Sequence, residues 1–91
     1  METEVIERVA TNETTDELFA LILLNDNVNS FNWVIRALIE VCSFSSIQAE
    51  QCAYIAHYKG KCEIKTGSKE NMLDLRKEFA EREIGAIVEK I

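Results

Sequence analysis

Proline is absent from the 91 residues, histidine and tryptophan occur once each, and glycine occurs three times. No apolar run approaches the roughly 18 residues a membrane helix needs, so no membrane partner is expected. The opening METEVIERVATNETTDE has no basic stretch followed by an apolar one. No signal peptide is therefore expected, and a cytoplasmic location is. Positive charge is scarce: ten Lys and Arg stand against sixteen Asp and Glu, a net charge of −6. Nucleic-acid phosphates need clustered Lys and Arg. The one local gathering, Lys59, Lys61, Lys65 and Lys69, is interrupted by Glu63 and Glu70. It reads as a solvated face, and no nucleic-acid partner is expected.

Cysteine offers little to metal or disulfide chemistry. Cys42, Cys52 and Cys62 are odd in number and lack CxxC spacing. With His57 as the single imidazole, a closed zinc site would need all four from scattered positions. Three small core residues in a reduced compartment are the simpler account, with no metal and no cofactor expected. No GxGxxG, GxxxxGK[ST] or HExxH motif occurs. A Cys62–His57 nucleophile pair would lack a helix N-terminus to activate the thiol. No apolar-flanked pair of carboxylates stands out for acid–base work. A binding module is expected rather than an enzyme.

What is present is periodic structure for one domain, with an apolar fraction of 47%. Residues 1–17 are acidic and read as a flexible arm, leaving 18–91 as the core domain. The run Leu18-Phe19-Ala20-Leu21-Ile22-Leu23-Leu24, stopped by Asn25-Asp26-Asn27, predicts a buried strand. Ser30 is a predicted N-cap for a helix whose face is Phe31, Val34, Ile35, Leu38, Ile39 and Cys42. Ser45 and Gln48 predict a capping box opening a second helix. That helix is lined by Ala49, Cys52, Ala53 and Ala56, and Gly60 is its left-handed stop. Lys61–Thr66 alternates as a short strand. Ser68 then caps a third helix with Met72, Leu75 and Phe79, flanked by Leu73 and Ala80, facing inward. Gly85 is expected to end it before a strand at Ala86-Ile87-Val88. The order β-α-α-β-α-β predicts a two-layer α+β domain, a three-stranded sheet with helices packed on one face.

Two places invite a functional reading. Asn25-Asp26-Asn27-Val28-Asn29 either makes a turn, as Asn and Asp commonly do, or supplies polar acceptors. His57 either favours the negative end of its helix or joins those acceptors. Together, beside a groove lined by Phe31 and alanines, they suit a ligand with a cationic head and an apolar tail. An ammonium group offers three donors and needs three acceptors; Asn25, Asp26 and a neutral His57 can supply them.

Here the sequence resembles the ClpS adaptor family. Leu21-Ile22-Leu23-Leu24-Asn25-Asp26-Asn27 is similar to its strand-plus-NDD motif. Ala49 through Tyr54, then Ala56-His57-Tyr58-Lys59-Gly60-Lys61, is similar to its segment with a His followed by Gly-Lys. The resemblance covers residues 18–66, and Ser68–Glu70 less closely. It implies an N-recognin, an adaptor that binds the free N-terminus of proteins starting with Leu, Phe, Tyr or Trp. Such adaptors deliver those N-degron substrates to a Clp AAA+ unfoldase (ClpA- or ClpC-like) and its ClpP protease. On that resemblance Asn25, the Asp26-Asn27 pair and His57 hold the α-amino group. Phe31, Val34, Ala53 and Ala56 line the side-chain pocket, with Asn29 at its rim and Ile87 closing it. Glu70 matches an acid that contacts the unfoldase N-terminal domain, and the arm is expected to contact the unfoldase during delivery.

The departures from the family pattern are specific. The second Asp is Asn27, which removes a charge from the ammonium site, and a charge-assisted bond is about twice as strong as a neutral one. Ser30 replaces a proline, and Phe31 replaces a gating methionine. Ala53 and Ala56 replace larger side chains, and the C-terminal end lacks a Pro-Leu pair. The basic partner expected one helical turn after Glu70 falls near Leu75 and Arg76. These changes leave open an alternative, a ClpS-like interaction domain whose pocket is lost or altered.

Overall fold

The seven-residue apolar run forms the middle of a sheet. β1 (Phe19–Leu24) pairs antiparallel with both β2 (Lys61–Gly67) and β3 (Ala86–Lys90), in the order β2-β1-β3. A computed structural model describes residues 17–91. The arm assigned to residues 1–17 lies outside them except for Glu17, whose carboxylate stands 3.0 Å from the Lys90 ammonium on the surface.

Residues on both faces of β1 are buried, Ala20 and Ile22 as well as Leu21 and Leu23, which matches a continuous apolar run instead of an alternating one. Leu21 and Leu23 are buried in the main core, while Ala20 and Ile22 are buried outside that cluster, on the opposite face. β2 departs from simple alternation. Leu21 pairs with Lys65 and Ile22 with Glu63, so Ile64 is an extra residue in a β-bulge. The bulge leaves Ile64 buried in the main core.

Each helix starts where its side-chain chemistry predicts. In α1 (Phe31–Cys42) the Trp33 N–H donates to Ser30 Oγ at 3.1 Å. In α2 (Ser46–Lys59) Ser45 and Gln48 close a reciprocal capping box at 3.0 and 3.1 Å. In α3 (Lys69–Glu81) the Asn71 N–H donates to Ser68 Oγ at 3.1 Å. Gly60 ends α2 with φ +94°, as its missing Cβ allows. α2 and α3 lie against one face of the sheet, and α1 packs on those two helices. The α+β, β-α-α-β-α-β architecture is thus the one the periodicity implies.

Three expectations need correction. α3 ends at Glu81, and Gly85 is not its terminator: Glu83 carries the positive φ of the turn, +62°. Gly85 instead abuts Leu24 at the start of β3, where an added Cβ would stand 3.9 Å from that side chain. Leu73 and Ala80 are exposed, so the inward stripe of α3 reduces to Met72 and Phe79, with Leu75 half-buried. In α1 the small Ala37 is fully buried, whereas Phe31 and Ile39 remain partly exposed. α1 faces two other helices, and a small residue lets their backbones approach.

Because nothing lies within 4 Å of a Cβ placed on Gly60, Gly60→Ala isolates backbone strain from crowding. It is expected to cost about 1–2 kcal/mol in urea unfolding. Ser45→Ala is expected to cost about 1 kcal/mol through the lost cap. An unchanged midpoint for Gly60→Ala would show that the turn relaxes freely.

Candidate functional site

Three segments of the chain meet at the end of β1. The Leu24 N–H donates to the Gly85 carbonyl at 3.1 Å, and the Asn25 N–H to the Gly60 carbonyl at 2.9 Å. The strand's last residues therefore hold the α2–β2 and α3–β3 turns on either side. The next residues reverse the chain around Asp26. Its Oδ1 accepts the Val28 and Asn29 N–H groups at 2.7 and 3.1 Å, and its Oδ2 accepts from the Asn29 side-chain amide. The turn-forming role of this segment is real, and one carboxylate organises it.

Asn29 carries the tie further. Its Nδ2 also donates to the Glu83 carbonyl at 2.8 Å, linking the loop to a residue 54 positions away. Trp33 Nε1 donates to the neighbouring Arg82 carbonyl at 3.0 Å, and Arg82 pairs with Glu40 of α1 at 2.6 Å. The loop after β1 is thus fastened to the turn after α3 from two sides.

These constraints shape a cleft of about 260 Å³ between the loop, α1 and α2. That is below the roughly 300–1,000 Å³ of sites for drug-sized ligands, and it suits a single side chain with its backbone. Asn25, Asp26, Asn27, Asn29, Phe31, Val34, Ala53, Ala56 and His57 all line it. Apolar floor and polar rim differ in exposure: Val34, Ala53 and Ala56 are buried helix residues, while Asn25 and Asn27 of the loop and His57 of α2 are exposed. The His57 ring stands edge-on to Phe31 at 5.3 Å, which fixes the imidazole beside the aromatic wall.

Ile87 is not in the cleft. It pairs with Ile22 across β1 and β3, and paired residues of an antiparallel ladder share a face. That face is opposite Leu21 and Leu23, so Ile87 cannot close the pocket. Glu70 lies in the first turn of α3, exposed and outside the lining. Arg76 donates through Nε to the Ala86 carbonyl at 3.1 Å, so this basic side chain ties α3 to β3. Leu23 and Leu24 also line the cleft and were not expected there. The signal was their position, since the last residues of a central strand abut whatever site forms at its end.

Electrostatics at the rim centre on Asp26. Partial burial pushes its pKa up, but hydrogen bonds from the Asn29 side chain and the Val28 and Asn29 N–H groups outweigh this. They hold the carboxyl below its ordinary value. A carboxylate has about four acceptor directions; three are used within the loop, leaving one on Oδ2. The cysteines are different. Burial pushes the Cys42 and Cys52 thiols up, and the adjoining Cys62 adds to the effect at Cys52. Both stay protonated, as core residues do. Cys62 is not among the lining residues that include His57. Among the described residues no group of three or more His, Cys, Asp or Glu side chains is placed to hold a metal ion. No helix of the described chain is long and apolar enough to cross a membrane.

Residues 14–84 match the family model described as ATP-dependent Clp protease adaptor protein ClpS. The fold is similar to that of Agrobacterium tumefaciens ClpS2, solved bound to L-phenylalaninamide. The TM-score is 0.80 at 20% sequence identity, with 82% of this chain and 98% of that chain covered. No curated protein matches the sequence.

The depressed Asp26 carboxyl gives a signed expectation. Its folded value lies below the unfolded one near 3.9, so its contribution is complete above that value. The contribution is lost as pH falls through the folded value. Asp26→Asn keeps an acceptor for the N–H groups but turns a second donor toward Asn29. Unfolding of both proteins from pH 7 to 2 is expected to show a stability difference that is constant above about pH 4 and shrinks below it. A difference independent of pH would remove Asp26 as the loop's organiser.

Proposed function

We infer that this chain, which belongs to the ClpS family of ATP-dependent Clp protease adaptor proteins, is an N-recognin. It binds the free N-terminus of proteins that begin with Leu, Phe, Tyr or Trp and delivers them to a Clp AAA+ unfoldase. The observation that carries this reading is one small cleft joining an apolar floor to a rim of acceptors. The ligand of A. tumefaciens ClpS2, L-phenylalaninamide, pairs an amino group with an apolar side chain. The cleft here suits that combination.

The recognition works by division of labour. The α-ammonium places one N–H on the free acceptor direction of Asp26 Oδ2, with Asn25, Asn27 and His57 as the remaining acceptors. Because Asn27 is uncharged, Asp26 supplies the only anion of the set, and the other contacts are ordinary hydrogen bonds. The side chain enters against Val34, Ala53 and Ala56 beside Phe31. Burying a Leu or Phe there contributes roughly 1.5–3 kcal/mol. Alanine walls leave room below the large Phe31 ring, so depth and not gating limits side-chain size. Delivery uses other surfaces: Glu70 on α3 and the acidic segment 1–17 are assigned to the N-terminal domain of a ClpA- or ClpC-like unfoldase. That partner places the activity in the cytoplasm.

Fluorescence anisotropy with a labelled Leu-initiated peptide tests the pocket against its N-acetylated copy and a Met-initiated one. The free Leu peptide is expected to bind, with acetylation costing several-fold to about a hundredfold because the rim acceptors lose their donors. Equal, negligible binding of all three would instead leave an interaction domain with a lost pocket. For delivery, Glu70→Lys is expected to slow substrate degradation with peptide affinity unchanged. Unaltered degradation would move the docking site elsewhere.

A further inference from the structure

One surface beside the cleft is not used by first-residue recognition. The inward face of α2 is alanine and cysteine, yet its outward face is apolar too: Ile47, Tyr54 and Tyr58 are 66%, 52% and 73% exposed. The rings at its C-terminal end are ordered against one another. Tyr54 stacks on Tyr58 within 5° of parallel at 5.7 Å, Tyr58 meets His57 at 4.8 Å, and Phe31 meets Tyr54 at 5.0 Å. With the Phe31–His57 contact at 5.3 Å these four side chains form a closed ring of aromatics. Phe31 and His57 line the cleft, and Tyr54 and Tyr58, outside the lining, are in ring contact with them.

We propose that Tyr54 and Tyr58 form a subsite for the second residue of the bound N-terminus, selecting an aromatic or large apolar side chain there. The inference rests on the reading of the cleft as the first-residue pocket. A residue of extended chain advances roughly 3.3–3.6 Å, so the chain leaving Phe31 and His57 meets these rings within one or two residues. Contiguous exposed aromatics are the composition of a recognition surface more than of an inert one. Their mutual packing has already restricted the rings, so little side-chain freedom is lost when a ligand ring stacks on them. An acidic second residue is disfavoured on two counts: it meets the electron-rich faces of the tyrosines, and the whole chain carries a net charge of −6.

The test compares labelled peptides identical except at position two, Leu-Phe, Leu-Ser and Leu-Asp, by fluorescence anisotropy on the full chain. Leu-Phe is expected to bind about three- to tenfold more tightly than Leu-Ser, with Leu-Asp weakest. In Tyr58→Ala that ratio is expected to fall toward one. The ratio, not the absolute affinity, is the readout, so a modest change in stability does not obscure it. If Leu-Phe and Leu-Ser bind the wild-type chain equally, the subsite is overturned and first-residue recognition stands. A ratio that survives both Tyr54→Ala and Tyr58→Ala overturns the assignment to these rings. If none of the three peptides binds, the first-residue reading fails and the subsite fails with it.

Discussion

Two backbone hydrogen bonds at the end of β1, from Leu24 to Gly85 and from Asn25 to Gly60, set the position of everything that surrounds the cleft. A central strand has neighbours on both edges, so both flanking turns must come to its end. The loop that leaves the strand then emerges between them. That constraint brings the C-terminal end of α2, with His57, to the same place as Asn25 and Asp26. It also brings the turn after α3 within reach of Asn29. The site is a consequence of sheet order, furnished by loop chemistry.

Asp26 sits under two demands. The loop needs its carboxylate to cap the Val28 and Asn29 N–H groups, and in the proposed function an incoming ammonium needs an anion. Three of about four acceptor directions serve the fold, which pre-organises the group but limits what remains for a ligand. Asn29 resolves part of the conflict by anchoring the loop to Glu83, a carbonyl whose place is fixed by a left-handed residue in its own turn. Asn29 is therefore a strut as well as a lining residue.

The helical part of the architecture was largely legible in the sequence because its causes are local. Ser30, Ser45 and Ser68 cap helices through groups three residues away, and Gly60 meets a left-handed φ that its own chemistry permits. Of the nine cleft residues expected and found together, Asn25, Asp26, Asn27, Ala53, Ala56 and His57 lie on the two motifs, and Asn29, Phe31 and Val34 follow the first motif within a few residues. Misreadings came where a partner distant in sequence decides. Ile87 is expected at the pocket from the resemblance, yet the ladder pairs it with Ile22 on the other face. Leu73 and Ala80 fit the apolar count of α3 but not its contact stripe. The bulge at Ile64 breaks an alternation that looked regular along the strand.

The sequence alone settled the elements, their order, the acidic balance and most of the residues that line the cleft. Periodicity, caps and motif spacing act within a few residues, and each is written in adjacent positions. The tertiary structure alone decided which face each strand residue takes, that Asn29 reaches Glu83, and that Phe31, Tyr54, His57 and Tyr58 close into one ring of aromatics. Those outcomes depend on register and helix packing. A shift of one residue in either moves a side chain to another face, and only the folded chain, satisfying all its contacts at once, selects among the registers.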